Sequence, residues 1–581
     1  MDRGAGGSRR PWSVPRAIPL AVAVVQALVV LGPALGPGVT LRYDMAWSPD
    51  PRWTPFVLGL DTPAPRAVPS DAVAVLLGQV IGASAAQKVL ILGILMALGV
   101  GAGALVAELA PRSGALSRSI ATVAAVWNPF VHERLMVGQW TVVAGLALLP
   151  WMLRQILRAS RGESSTELLL LLVVLAGLGG ANTLAVVLSA ALPGLFWIAI
   201  RRRSRLSVFH LGAAVAVGLG MAAAWALPAL QAGTRSTSDG SAAFAPAADT
   251  PLGVVGSLVS GGGLWNTAAH PAARSVPIVA TAAAGIAIIG VVACFVTVRP
   301  RSRPLLAVVL AVPTVLTLLS VTEATQSFWD FLVTGLPGGG LLRDSHKLIG
   351  AWVVLAAAGL GVAGHLLRTR LRGGLSGPVT VLLMLLPISL APYQVWGGHG
   401  ALAASQVPDG YRSAIDVMNA AAPGDVGLLP WNQYRRYAWN DNRVSLTLAP
   451  RMLTRVVLYD DSLPLEQGVV PGESDRAARV SAAIHRGVPP VEALADAGAR
   501  YIVLERTAAA EELEESVSEA GRVVVETGEV MAVEVASAQV PSARGTGVNS
   551  IGWAVTLGTL ALTVLCVTIH RTRGRMTRRN A

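Results

Sequence analysis

Three groups of polar residues stand in otherwise apolar sequence, where ionisable side chains default to functional candidates. The first is Tyr43-Asp44-Met45-Ala46-Trp47-Ser48-Pro49-Asp50-Pro51-Arg52-Trp53. A carboxylate there can take a proton from a sugar hydroxyl as a general base. It can equally cap a turn, helped by Pro49 and Pro51. For Asp44 the two readings stand level; for Asp50 the turn is the stronger one. The second group is Trp127-Asn128-Pro129-Phe130-Val131-His132-Glu133-Arg134, followed by Gly138-Gln139-Trp140. It offers Glu133 as a further acid, and His132 and Arg134 as phosphate ligands, the planar guanidinium suiting a phosphate. The competing role is an interfacial anchor with Glu133 and Arg134 bonded to each other. The third is Arg343-Asp344-Ser345-His346-Lys347. Arg343, His346 and Lys347 are candidates for an anionic ligand. Trp47, Trp140 and Trp265 are the aromatic candidates for substrate stacking. No Walker loop, metal-spaced His/Cys cluster or G-x-S-x-G elbow occurs.

The elements that must position these residues are membrane spans. Of the 581 residues, 53% are hydrophobic and 14% charged, and the mean hydropathy is +0.56. A soluble chain carries about a quarter charged residues. That excludes a purely soluble enzyme, a disordered chain and a fibrous repeat. The net charge of +12 does not indicate nucleic acid, because the basic residues sit in short clusters between apolar runs. Seven clusters read as cytoplasmic: Arg3/Arg9/Arg10/Arg16, Arg112/Arg118, Arg154/Arg158/Arg161, Arg201/Arg202/Arg203/Arg205, Arg299/Arg301/Arg303, Arg368/Arg370/Arg372 and the tail from Arg571. Between neighbours lies room for two crossings. The expectation is twelve spans with both termini inside, at 17–35, 89–110, 115–131, 141–157, 167–181, 183–200, 206–228, 276–298, 304–321, 348–367, 376–393 and 550–569. The sixth hairpin opens around a soluble insertion. Gly179-Gly180-Ala181-Asn182 marks one turn, and Gly99 and Gly103 mark close helix packing. Cys294 and Cys566 both fall in apolar runs and read as packed thiols.

Long loops at 36–88, 229–275 and 322–347 then fall outside the cytoplasm, together with a domain at 394–549. That domain holds 20 of the 34 acids and 13 basic residues, so it is net acidic while the rest is net +19. Its pattern turns periodic. Residues 427–431 and 501–505 read as buried strands, and 522–527 with 530–535 as a hairpin. Helices are expected at 409–421, 474–486, 490–498 and 508–520. The chain therefore divides into a transmembrane region, 1–393, an α/β domain, 394–549, and a last helix with a basic tail, 550–581. The aromatic cluster Trp431, Tyr434, Tyr437 and Trp439 reads as a domain core with one exposed edge.

This arrangement resembles the GT-C-type membrane glycosyltransferases, in particular actinobacterial arabinosyl- and mannosyltransferases that use polyprenyl-phosphate sugars. The resemblance rests on many spans, an acid-bearing first outer loop, interfacial helices after the first and seventh spans, a C-terminal outer domain, and the segments NPFVHERLMVGQW and RDSHK. It covers the whole chain as architecture. It implies a polyprenyl-phosphate sugar as donor and a cell-envelope glycan or glycolipid as acceptor, with Asp44 as base on the acceptor hydroxyl. Arg134, Arg343 and Lys347 then hold the leaving phosphate. It allows a divalent cation such as Mg2+ or Mn2+, and it places the chain in the plasma membrane. Forty-four Arg against two Lys, Lys88 and Lys347, suits a high-GC bacterium such as an actinobacterium. The family's adjacent acidic pair is absent, since Asp44 and Asp50 are six apart. That spacing keeps a non-catalytic scaffold open as an alternative. A lipid-linked sugar transporter is disfavoured, because the span centres, Gln26 aside, hold almost no ionisable residue and the acids collect in outer loops.

Overall fold

The computed structural model describes residues 14–61, 65, 67–231, 238–336, 338–371, 375–465, 468–535 and 547–579. Arg3, Arg9, Arg10 and Arg372 of the basic clusters lie outside the described residues, as do the side chains of Arg16 and Arg571.

A helix stands at each of the twelve expected positions. Among the described residues, nine helices are long and apolar enough to cross a membrane, from Ala17–Leu35 to Gly547–His570. A tenth span forms if Ser376–Leu390 and Pro392–His399, bent by 72°, act as one. At that bend Trp396, Gly397, Gly398 and His399 all have positive φ, one left-handed turn leading into the C-terminal domain. The expected count of twelve is corrected at two places. Ala115–Val126 has 12 residues and Thr166–Leu178 has 13. At 1.5 Å per residue each rises only about 20 Å, short of a bilayer core of about 30 Å.

The first shortfall has a local cause. Asn128 ends one helix and starts the next. Its amide nitrogen donates to the Ala125 and Ala124 carbonyls at 2.7 and 3.2 Å, and its side-chain oxygen accepts from Val131 N at 3.0 Å. Pro129 follows as the first residue of the helix Pro129–Met136, a position where its missing N–H costs nothing. The predicted span 115–131 is thus an interior helix broken at Asn128. Every residue of Ala115–Val126 from Ser119 onward is buried. Gly99 and Gly103 let Ala83–Leu109 press onto it: a Cβ at either would meet Thr122 at 3.0–3.1 Å. Gln26 satisfies the Thr122 carbonyl at 2.8 Å. The second shortfall ends at Gly179, and Gly180 turns the chain with φ +80°.

The last helix, Gly547–Arg579, is keyed to Arg205–Gln231. Thr556 Oγ1 donates to Gly220 O at 3.1 Å and accepts from Ala224 N at 3.0 Å, inserting itself in that helix's own ladder. Cys294 is buried as expected, whereas Cys566 is exposed on the protein surface. Its neighbours Leu562 and Leu565 are exposed too, the face a span turns to lipid.

The C-terminal domain is built on a five-stranded sheet in the order Arg522–Glu526, Val530–Glu534, Ala499–Glu505, Asp425–Leu429 and Val457–Leu458. The first four of these strands carry the predicted segments, and Val457–Leu458 was not expected. Asp425–Leu429 runs parallel to Ala499–Glu505, and the expected hairpin is antiparallel. Period-two alternation splits them between two cores. Val426, Leu428, Tyr501 and Val503 face one way. Leu429, Ile502 and Leu504 face the other, against the helices Asp475–His485 and Pro490–Asp496. The first face is shared with Val39, Leu41, Ala46 and Trp47 of the first outer loop. Full burial of such side chains stabilises by about 1.5–3 kcal/mol each, so this apolar seam is the main attachment of the domain to the transmembrane region. Backbone pairing of Val39–Thr40 with Ala404–Ser405 adds to it, as does a bidentate Asp50–Arg412 ion pair. Within 508–520 the expected helix is a 3-10 turn, Ala508–Leu513, followed by a short helix, Glu514–Glu519.

Candidate active site

Between the first loop, the third loop and the C-terminal domain lies a cavity of about 670 Å³, lined by Asp44, Trp265, Asn266, Tyr434, Arg436 and Asn442 among others. Asp44 is the single carboxylate among its described lining residues. A tight turn presents it: Arg42 and Met45 exchange backbone bonds at 3.0 and 2.8 Å, with Tyr43 at φ +43°. The turn presses on Gly138, where a Cβ would sit 2.1 Å from the Arg42 carbonyl. Only glycine fits there, also because its φ is +74°. From the other side, Tyr43 exchanges backbone bonds with Val444 and Leu446 at 2.6 and 2.9 Å. These belong to a hairpin, Tyr434–Arg436 with Val444–Leu446.

That hairpin is fixed from within. Arg435 is 3% exposed, and its Nε donates to Glu505 at 2.5 Å. Glu505 also accepts from Tyr411, Tyr437 and Thr447 at 2.6–3.0 Å. Strand alternation leaves Tyr434 and Arg436 on the opposite face, toward the cavity. The aromatic cluster is thereby divided: Tyr437 stacks on Trp439 at 4.5 Å in the core, while Tyr434 is the exposed edge.

The Asp44 carboxylate accepts hydrogen bonds from Gln139 Nε2 at 3.1 Å and from the Tyr434 hydroxyl at 3.2 Å. Behind Gln139 lies a buried polar cluster. Arg134 donates to Gln139 Oε1 and forms two bonds to Asp344, at 2.6 and 2.9 Å. Its Nη2 lies 2.9 Å from His346 Nδ1, and His346 Nε2 lies 3.1 Å from the Gly262 carbonyl. A carbonyl only accepts and a guanidinium only donates. His346 is therefore neutral, protonated on Nε2. Burial opposes ionisation of Asp344, but Arg134, with Lys347, brings its carboxyl down to about 2.

Several expected ligands are consumed by these internal bonds. Arg134 and His346 are 0% exposed, so the phosphate clamp anticipated for them is replaced by an ion pair with Asp344 and a stack of His346 on Phe130 at 5.1 Å. Lys347 is buried, with Nζ 3.0 Å from Asn182 Oδ1. His132 packs edge-on to Tyr393 at 4.7 Å, and burial pushes its imidazole down to about 3. Arg343 does not line the cavity itself and lies 4.0 Å from Glu473. It covers Phe244 at 4.7 Å. Phe244 in turn meets Trp265 edge-on at 4.7 Å.

The acids separate in the same way. Asp50 is spent on Arg412, at 2.7 and 2.9 Å, and does not line the cavity. Glu133 is 0% exposed and accepts from Leu264 N at 3.0 Å. Burial and the adjacent Asp249 carboxylate push it well above the usual carboxylate range, against the pull of Arg274. It is an internal group that does not line the cavity, which weighs against a role as a base toward an entering substrate. Trp47 is a core residue, edge-on to Trp140 at 6.1 Å, so of the three tryptophans Trp265 alone lines the cavity. Asn266, Asn432 and Asn442 line it too, and nothing in their type or spacing marks them in the sequence. The site does not fit a divalent cation. Such ions want several oxygen ligands, whereas Asp44 is a lone carboxylate with donors on both oxygens, and no metal-holding group of three His, Cys, Asp or Glu occurs among the described residues.

No protein-family model and no curated protein sequence matches this chain. Solved structures do. The arabinofuranosyltransferase AftD from mycobacteria aligns over 91% of this chain and 40% of its own, with 16% identity and a TM-score of 0.59. A variant of that enzyme aligns over 92% and 42%, with 15% identity and a TM-score of 0.57. ArnT from Cupriavidus metallidurans aligns over 90% of this chain and 99% of its own, with 13% identity and a TM-score of 0.41. The chain thus spans about two fifths of the length of AftD. At these identities the likeness concerns architecture, and it bears out the resemblance read from the sequence: the chain has the GT-C fold of membrane glycosyltransferases.

Proposed function

We propose that this protein transfers a sugar from a polyprenyl-phosphate donor to a cell-envelope glycan or glycolipid at the outer face of the plasma membrane. The observation that carries the reading is Asp44, the one carboxylate among the described residues lining a cavity that also presents aromatic rings and side-chain amides. Trp265 and Tyr434 offer faces for sugar rings, and the asparagines offer hydrogen bonds to hydroxyls. Asp44 accepts the proton of an acceptor hydroxyl as that oxygen attacks the anomeric carbon. The bond from the anomeric carbon to the phosphate oxygen breaks, and the phosphate leaves with the electron pair. Arg343 meets that phosphate at the Phe244–Trp265 side. The lipid tail stays in the bilayer, and the C-terminal domain forms the acceptor side of the cavity through Tyr434, Arg436 and Asn442.

The test is transfer by purified protein from a panel of polyprenyl-phosphate pentoses and hexoses to envelope glycan, with donor affinity measured alongside. Product is expected with at least one donor. Arg343→Gln should weaken donor binding about tenfold, the scale of one charge-assisted phosphate contact. No transfer by the wild type from any donor overturns the enzyme reading and leaves the glycan-binding scaffold. Unchanged donor affinity in Arg343→Gln moves the phosphate elsewhere.

Sidedness follows from the basic clusters. In a Cys566→Ser background, a cysteine introduced at the exposed Glu515 should react with an impermeant thiol reagent in intact cells. Reaction only after permeabilisation would put the C-terminal domain, and with it the cavity, in the cytoplasm.

A further inference from the structure

We propose that Gln139 and Tyr434 are positioning residues for Asp44, and that Gln139 does this work only because the buried Arg134–Asp344 pair fixes its amide. The proposal rests on the reading of Asp44 as the base. It starts from a free torsion: an aspartate on a surface turn can rotate its carboxylate away from an incoming hydroxyl. Here each oxygen has its own donor, Gln139 on Oδ2 and Tyr434 on Oδ1.

The direction of the Gln139 amide is not arbitrary. Arg134 has donors only, so the amide oxygen must face it and the NH2 must face Asp44. A flipped amide would set oxygen against carboxylate on one side and NH2 against guanidinium on the other. Arg134 is itself held by two bonds to Asp344 and by His346 Nδ1, and His346 is held by the Gly262 carbonyl. Donors therefore run one way, from the buried cation through the amide to the base. The route joins the third loop, the segment 344–346 and the helix Pro129–Met136 to the first loop. Tyr434 comes from the C-terminal domain. Asp44 therefore keeps its Tyr434 donor only while that domain is seated.

The test uses the full-length protein, its transfer assay and its pH–rate profile. Besides Gln139 and Tyr434, the groups around Asp44 are Tyr43, edge-on to Tyr434 at 6.1 Å, Arg435 and Arg436 on the cavity wall, and Arg134 behind Gln139. Gln139→Glu keeps the length and the Arg134 contact but faces Asp44 with a second carboxylate. Its kcat should fall on the order of 10- to 100-fold, the scale of a misplaced reacting group, with donor KM little changed. The acid limb of its profile should move to higher pH, because a like charge disfavours the ionised base. Tyr434→Phe, which removes one hydroxyl, should lower kcat with a smaller shift in the same direction, because the ionised base loses one donor but gains no like charge. A merely structural Gln139 would lower the yield of folded protein and leave the acid limb in place. If Asp44→Asn is inactive while Gln139→Glu and Tyr434→Phe both keep wild-type kcat and profile, the positioning role is wrong and the base stands. If Asp44→Asn is fully active, the base assignment itself fails, and this inference with it.

Discussion

Asp44→Asn is expected to lower turnover about 10²–10⁴-fold, the usual contribution of general-base catalysis, at unchanged expression and donor affinity. The substitution keeps shape and volume and removes one basic oxygen. The turn that presents residue 44 is made by backbone bonds of Arg42, Tyr43 and Met45 and by contact with Gly138, so it survives. Asp50→Asn is the matched control. Asp50 pairs with Arg412 at the half-exposed seam between loop and domain, where an ion pair contributes about 0–1 kcal/mol. Its loss should change turnover less than about fivefold. Full activity in Asp44→Asn with none in Asp50→Asn would show that the wrong acid was chosen. Activity in both would remove the first loop from the chemistry.

The helices were legible because bilayer crossing writes long apolar runs into the chain. The two short ones were legible as helices but not as falling short of a crossing. What ends them is a single capping amide at Asn128 and the glycine turn at Gly179–Gly180. Four of the five sheet strands were legible from short apolar segments, and the two-residue edge strand Val457–Leu458 was too short to show. The hairpin Tyr434–Arg436 with Val444–Leu446 was not legible, since its strands have three residues each and the first carries two arginines. The site divided along the same line. Asp44 was visible as an acid in an apolar neighbourhood. The segments NPFVHERLMVGQW and RDSHK were read as two separate groups with their charges directed at a ligand, whereas Arg134 of the first binds Asp344 and His346 of the second. Sequence shows a charge without its partner. Arg134 and Asp344 lie 210 residues apart, and no local pattern signals that they neutralise each other.

That mutual neutralisation sets the second large effect. Arg134→Met should destabilise the protein by about 3–5 kcal/mol, because Asp344 is left buried without its cation. Thermal unfolding in detergent reads the loss. The pair contributes fully above the ordinary carboxylate range and loses its contribution only as the pH falls toward about 2, where Asp344 protonates. The deficit of Arg134→Met should therefore persist across neutral pH. Arg134→Met with Asp344→Leu removes both charges and both desolvation penalties, so most of the stability should return. Activity should not return with it. Gln139 has then lost the cation that orients its amide, and Asp44 has lost an ordered donor. A double variant that is stable and slow separates the two roles of the pair. A double variant with wild-type kcat would confine Arg134 to folding, and a single variant within about 1 kcal/mol of wild type would mean that water or another cation reaches Asp344.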